Sequence, residues 1–282
     1  MTAQLAPSQS ERAQSERTGM TTRSGTVNDT VRQVLVIVAV VSVIVVNALA
    51  NILPLNGQTT GAISDRFDVY FVPAGYVFSI WSLIYLGLIG YAVFQALPAQ
   101  RTNPRLRAIG YPFVASSLAN IAWIFLWHYE YFAWTLVAMG TLLVVLGWIY
   151  QRLGIGITEA TGGERWIVRL TFSIYFGWIT VATIANMTSV LDYLNWSGWG
   201  IGPVAWALLM LGVATVIGLG VTVLRSDWAY GAVLVWAFAG IAVKQSDTAA
   251  VMLTAAICAV IMVAAIVLAL VRRPALPTPS AA

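Results

Sequence analysis

The chain has 282 residues, 59% of them hydrophobic and only 9% charged, with a formal net charge of +4. A water-soluble domain covers its surface with about a quarter charged residues, so this composition excludes a soluble enzyme or a nucleic-acid-binding domain and gives a protein of the membrane. Its arginines sit at the ends of apolar segments, so the basic balance points to no nucleic-acid partner; one cysteine, Cys258, and one histidine, His128, leave no intramolecular disulfide and no cysteine-based metal site.

Residues 1–30 are rich in Ser, Thr, Gln and Arg and are expected to form a disordered tail. The first apolar span covers 31–53, too long for a signal-peptide core. Asn47 and Asn51 share a face near its far end and suit hydrogen bonds to another helix. Residues 54–71 form a long loop with Asn56-Gly57, Gly61 and the charged trio Asp65, Arg66 and Asp68; loops of this length are often lids or disordered.

Pro73 and Gly75 introduce a second span at 74–97. A basic loop with Arg101, Arg105 and Arg107 leads to the third, 106–127. The link His128-Tyr129-Glu130 is so short that the fourth span, 131–153, must run antiparallel beside the third. Gly154, Gly156, Gly162 and Gly163 then accompany Glu159, Glu164 and Arg165; with no strand and no Lys-Ser/Thr nearby they do not make a phosphate loop. The fifth span is 166–191, followed by a turn with Trp196 and Trp199. Spans six to eight cover 203–224, 228–243 and 248–271, the seventh being short. The tail from Arg272 holds three prolines and is expected to be unstructured.

The expected fold class is therefore all-α, a polytopic membrane helix bundle of about eight transmembrane helices. With both termini inside, the inner segments hold Arg12, Arg17, Arg23, Arg32, Arg101, Arg105, Arg107, Arg152, Arg165, Arg169, Arg225, Arg272 and Arg273, and the outer ones only Arg66 and Lys244. Arginine and lysine favour the cytoplasmic side, so both termini are expected there, and omitting the short seventh span would carry Arg272 and Arg273 outside.

Trp127, Trp134, Trp148, Trp166, Trp196, Trp199, Trp206 and Trp228 fall near span ends and fit an interfacial aromatic belt. Trp81, Trp123, Trp178 and Trp236 lie deeper, where an indole N–H needs a partner. Three of these four belong to stripes spaced by three and four, hence to single helix faces. Phe78, Trp81 and Tyr85 share one face of the second span. Ser116, Asn120, Trp123 and Trp127 share one of the third, and Tyr175, Trp178, Ala182 and Asn186 one of the fifth. At about 1.5 Å of rise per residue the stripes meet in the outer half of the membrane. Helix packing with interhelical hydrogen bonds explains them, and so does a pocket for a flat apolar ligand.

At these residues the chain resembles the TspO/MBR family of tryptophan-rich sensory proteins. Pro73-x-x-Tyr76-Val77-Phe78-x-x-Trp81-x-x-x-Tyr85 is similar to the family's Pro-x-Trp-Val-Phe-x-x-Val-Trp-x-x-Leu-Tyr. Asn120-x-x-Trp123 is similar to its Leu-Asn-x-x-Trp, and Tyr175-x-x-Trp178-x-x-x-Ala182-x-x-x-Asn186 to its Pro-Tyr-Leu-x-Trp-x-x-Phe-Ala-x-x-Leu-Asn. Departures are the single Pro73 in place of Trp-x-Pro-Pro, Ser116 in place of a glutamine, and Ile174 in place of a proline. The resemblance covers about 31–195. It implies a five-helix domain there, with 196–272 as an added three-helix segment and 273–282 as a tail.

What the resemblance implies for function is a membrane receptor, sensor or carrier for porphyrin-like ligands, heme included, with no obligatory cofactor and no metal. Trp81, Asn120, Trp178 and Ala182 would line the pocket, with Tyr85, Trp123, Tyr175 and Asn186 near it. A secondary transporter of another small solute is the alternative, although no carboxylate stands mid-span to couple an ion. A Schiff-base photoreceptor would need a deep lysine, and Lys244 sits at a span end beside Asp247; no enzymatic activity is expected. The expected setting is the lipid bilayer of a bacterial cytoplasmic membrane. The Gly and Ala faces of the last three spans suit a homodimer.

Overall fold

The structure is a computed structural model that describes the backbone of residues 9–272 and the side chains of residues 28–272. Among the described residues there is no strand. Helix α1 spans Gln9–Ile52, and a short helix α2, Thr60–Ser64, lies in the loop that follows. A 3-10 turn, Gly75–Ser79, runs into α3, Ile80–Ala96. Next come α4, Pro104–His128, and α5, Phe132–Arg152. A π-helical turn, Glu164–Arg169, leads into α6, Leu170–Tyr193. The chain closes with α7, Pro203–Leu224, α8, Trp228–Lys244, and α9, Ala249–Val271.

Among the described residues seven helices are long and apolar enough to cross a membrane, and α8 is a shorter apolar helix of 17 residues. At about 1.5 Å per residue α8 sits at the lower limit for a span. The fold is a polytopic helical membrane bundle. The helix starts are specified locally: Asn103 accepts from the backbone N–H groups of Arg105 and Leu106, with Pro104 in the first turn of α4. Asp227 caps α8 through the N–H groups of Ala229 and Tyr230.

The N-terminal segment differs from the disordered tail expected over 1–30. The backbone is already helical from Gln9. Gln, Glu, Arg and Ala dominate the start of this stretch, and these side chains lose little rotamer freedom in a helix. From Asn28 onward the helix is also anchored, because Asp29 pairs with Arg107 and stands 3.7 Å from Arg32. Residues 1–8 and the proline-rich 273–282 lie outside the described residues.

Helix contacts divide the bundle in two. α3, α1, α4, α5 and α6 pack in that order, and α6 returns to α3, so five spans close a ring. α7, α8 and α9 pack on one another, and α8 seats the trio on the outside of α6 and on the 3-10 turn before α3. Each body has its own core. Ile84, Tyr91, Phe113, Leu146 and Phe172 belong to the ring, and Leu211, Leu234, Phe238 and Met262 to the trio. The junction contains a polar knot: buried Asp227 accepts from the Tyr150 hydroxyl at 2.8 Å and from Ser173 Oγ at 2.7 Å, tying α8 to α5 and α6.

Candidate functional site

The ring encloses a cavity of about 510 Å³ that reaches toward the outer loop. Its aromatic wall comes from α3 and α6. Trp81 stacks on Tyr85 with centroids 5.6 Å apart, and meets Trp178 edge-on at 6.3 Å. Phe78 meets the same Trp178 edge-on at 5.7 Å. The opposite wall comes from α1 and α4, where Trp123 stacks on Trp127 at 5.3 Å. No charged side chain belongs to the described lining of this cavity.

Amides supply the polar points. Asn47 Nδ2 donates to Asn120 Oδ1 at 2.8 Å, and Trp123 Nε1 donates to Asn186 Oδ1 at 3.1 Å. Two buried donors among these lining residues, Trp178 Nε1 and Asn186 Nδ2, have no acceptor among the described residues. An unpaired buried donor costs about 1–3 kcal/mol, so the cavity keeps hydrogen-bonding capacity that the fold itself leaves unused.

The structure brings the sequence-derived candidates together. Trp81, Tyr85, Asn120, Trp123, Trp178, Ala182 and Asn186 all line the cavity. Tyr175 does not; it is buried behind the wall, against Trp81 at 5.9 Å and with its hydroxyl on the Asn120 side chain. Trp236, the other deep indole, has no part in the cavity and donates to the Val77 carbonyl at 3.0 Å.

Some lining residues were missed. Trp127, expected in the interfacial belt, is only 3% exposed and lines the cavity, its Nε1 donating to the Thr60 carbonyl at 3.2 Å. Its place as the fourth member of the Ser116–Asn120–Trp123 stripe was the signal that outweighs its nearness to a helix end. Asn47 and Asn51 bond as expected of interhelical amides or back onto their own helix, yet both also face the cavity.

The rim of the cavity is the loop of residues 54–71, which carries α2. Thr59, Thr60, Gly61 and Ser64 of this loop contribute to the lining. His128, in the short link between the third and fourth spans, is fully buried beneath it. Its Nδ1 faces the Leu55 carbonyl at 3.2 Å and its Nε2 meets Thr60 Oγ1 at 2.9 Å. A carbonyl only accepts, so Nδ1 carries a proton and donates to Leu55. The rim is fastened further by Arg66 to Glu130 at 2.6 Å and by Lys244 to Asp65 at 2.7 Å.

The Arg66 guanidinium, by its hydrogen bond, holds the Glu130 carboxyl below the usual glutamate range. A depressed carboxylate pKa contributes stability above the unfolded value, about 4.3, and loses it as pH falls through the folded value. Protection of the 55–66 loop against amide hydrogen exchange by this pair is therefore expected to be full and independent of pH near neutrality and to be lost below about pH 4. In Glu130→Gln the acid-induced loss attributable to the pair should be absent. An unchanged acid response in Glu130→Gln would mean that the pair does not hold the rim.

A model of the TSPO-like protein family matches residues 33–268. The chain belongs to the TSPO-like family. The match covers most of the chain and runs through α7 and α8 and nearly all of α9. These helices therefore fall within the TSPO-like span, and the boundary expected near residue 195 does not limit the similarity. No curated protein and no solved structure gives a significant match. As a TSPO-like protein with several apolar membrane-length helices, the chain is an integral membrane protein.

Proposed function

We propose that this TSPO-like protein is a membrane receptor or sensor, or a carrier, that binds a flat, largely apolar, porphyrin-like ligand in the cavity of the five-helix ring. The observation that carries the reading is the pairing of facing indoles with unused donors. Trp81 and Trp178 stand edge to face, Trp123 and Trp127 form the opposite wall, and Trp178 and Asn186 each keep a donor without an acceptor. Aromatic faces favour a planar ring system, and a few fixed polar groups in an apolar cavity orient it. Heme is one ligand of this shape; the binding role requires no resident cofactor or metal and no catalytic step.

The alternative, a secondary transporter, draws support only from the number of spans. Ion coupling uses carboxylates at membrane depth, and the described cavity lining holds none. The cellular setting we propose is the cytoplasmic membrane of a bacterium, with self-association through α7 to α9.

The test is quenching of intrinsic tryptophan fluorescence by protoporphyrin in detergent-solubilised protein. Wild type should show saturable quenching in the micromolar range. Trp81→Phe and Trp178→Phe should each weaken binding roughly three- to tenfold, the size of one lost aromatic contact. Linear, non-saturating quenching that both variants share would mean partitioning into the micelle and would overturn the reading.

A further inference from the structure

A second cavity, of about 560 Å³, opens at the opposite end of the bundle. Its walls are the turn after α5, the π-helical entry to α6 and the turn between α7 and α8. The two turns are in intimate backbone contact, so this hollow exists only because the C-terminal trio sits against the ring. Its character is opposite to that of the outer cavity. Three arginines, Arg165, Arg169 and Arg225, line it against two carboxylates, Glu159 and Asp227.

The charges are not equally committed. Arg169 is buried and spent: it pairs with Glu164 at 3.3 Å and donates to the carbonyls of Gly154, Thr158 and Glu159. Asp227 is likewise spent, accepting from two hydroxyls and two backbone N–H groups. Among the described residues Arg225 donates only to neutral groups, the Ile155 carbonyl and the Gln151 side chain, and has no carboxylate partner. Arg165 is exposed, with its guanidinium 5.6 Å from the Trp166 ring, and is in no ion pair among the described residues. Two guanidinium groups without carboxylate partners thus flank a hollow whose rim also carries the indoles of Trp166 and Trp228.

We propose that this inner cavity is a second binding site, for a phosphate-bearing anion held between Arg165 and Arg225. Guanidinium groups bind phosphate oxygens in a fixed fork geometry. The arginine distribution turns this end toward the cytoplasmic leaflet, where anionic headgroups concentrate. Indoles at the rim suit the glycerol and first methylenes of a lipid. A lipid headgroup and free phosphate share the recognised chemistry.

The experiment uses the full chain in neutral detergent, with native mass spectrometry and thermal unfolding as readouts. The probes are dioleoyl phosphatidylglycerol, dioleoyl phosphatidylcholine and inorganic phosphate. Phosphatidylglycerol should be retained as a stoichiometric adduct and should raise the unfolding midpoint, and phosphatidylcholine should do neither. Arg165→Gln should weaken phosphatidylglycerol binding several-fold, and the Arg165→Gln/Arg225→Gln pair roughly tenfold or more. Among the described residues the Arg165 side chain makes no hydrogen bond or ion pair and touches only the neighbouring Trp166 ring, so its single variant carries the test if the pair fails to fold. Saturable stabilisation by inorganic phosphate, with displacement of the lipid, would assign the site to a soluble anion; phosphatidylglycerol acting alone would assign it to a headgroup. Equal retention of both lipids, or wild-type phosphatidylglycerol binding by Arg165→Gln, overturns the proposal.

Discussion

Gly156→Ala should lower the stability of the solubilised protein by about 3 kcal/mol, the sum of a left-handed backbone cost and an overpacking cost. Gly156 has φ +76, where an L side chain is strained. The larger problem is space. A Cβ at Gly156 would stand 1.7 Å from the Arg225 carbonyl oxygen and 2.6 Å from its carbon, and both are backbone atoms that cannot swing aside. The turn after α5 must therefore retreat from the α7–α8 turn, loosening the seat of the C-terminal trio. Gly162→Ala is the control, because nothing stands within 4 Å of a Cβ there; its effect should stay within about 0.5 kcal/mol. Thermal unfolding of the two variants side by side measures the difference, and equal midpoints would show that the close approach does not matter.

Asp227→Ala should cost a similar amount, about 3 kcal/mol, by a different route. The carboxylate caps α8 through two backbone N–H groups, a contribution of about 1 kcal/mol. It also accepts from Tyr150 and Ser173, and removing it leaves two hydroxyl groups without that acceptor in a buried site, at about 1–3 kcal/mol each before relaxation. Asp227→Asn should lose less, because hydroxyl groups can reorient and accept from the new amide. Since Tyr150 belongs to the ring and Asp227 to the trio, the alanine variant should also release α7 to α9 to protease earlier than the ring in limited proteolysis. Simultaneous digestion of both bodies would mean that other contacts hold the trio in place.

The spans and their order were legible because the bilayer leaves so little freedom. Apolar runs of membrane length must be helices, and the arginine count rescued α8, whose 17 residues alone argue weakly. The cavity wall was legible through spacing: residues three and four apart share a face, and Trp81, Asn120, Trp178 and Asn186 do converge. Trp127 was not, because its nearness to a helix end gives the same sequence signature as an indole in the headgroup region. Only the packing of Phe67 and Phe132 around it, at 5.7 Å and 5.3 Å, shows it to be interior. The burial of His128 was hidden for a related reason. Its burial depends on a loop more than 60 residues earlier folding back over it, a long-range contact with no local pattern. The inner cavity was hidden because its two walls come from turns about 70 residues apart.

The loop ahead of α3 is attached at both of its edges. On one side His128 and Glu130 bind it to the end of α4; on the other Lys244 and Gln245 bind it to the end of α8. A door hinged on two frames opens only when one of them lets go. The α4 edge includes a buried imidazole and the indole of Trp127 bonded to Thr60; at the α8 edge Phe71 is buried in the core of the trio and the Ala74 N–H donates to the Gly240 carbonyl, with the solvent-exposed Lys244–Asp65 pair outside them. Dissolved salt screens the exposed Lys244–Asp65 attraction but not the buried contacts, so ionic strength should loosen the loop around Asp65 and leave its two buried edges in place.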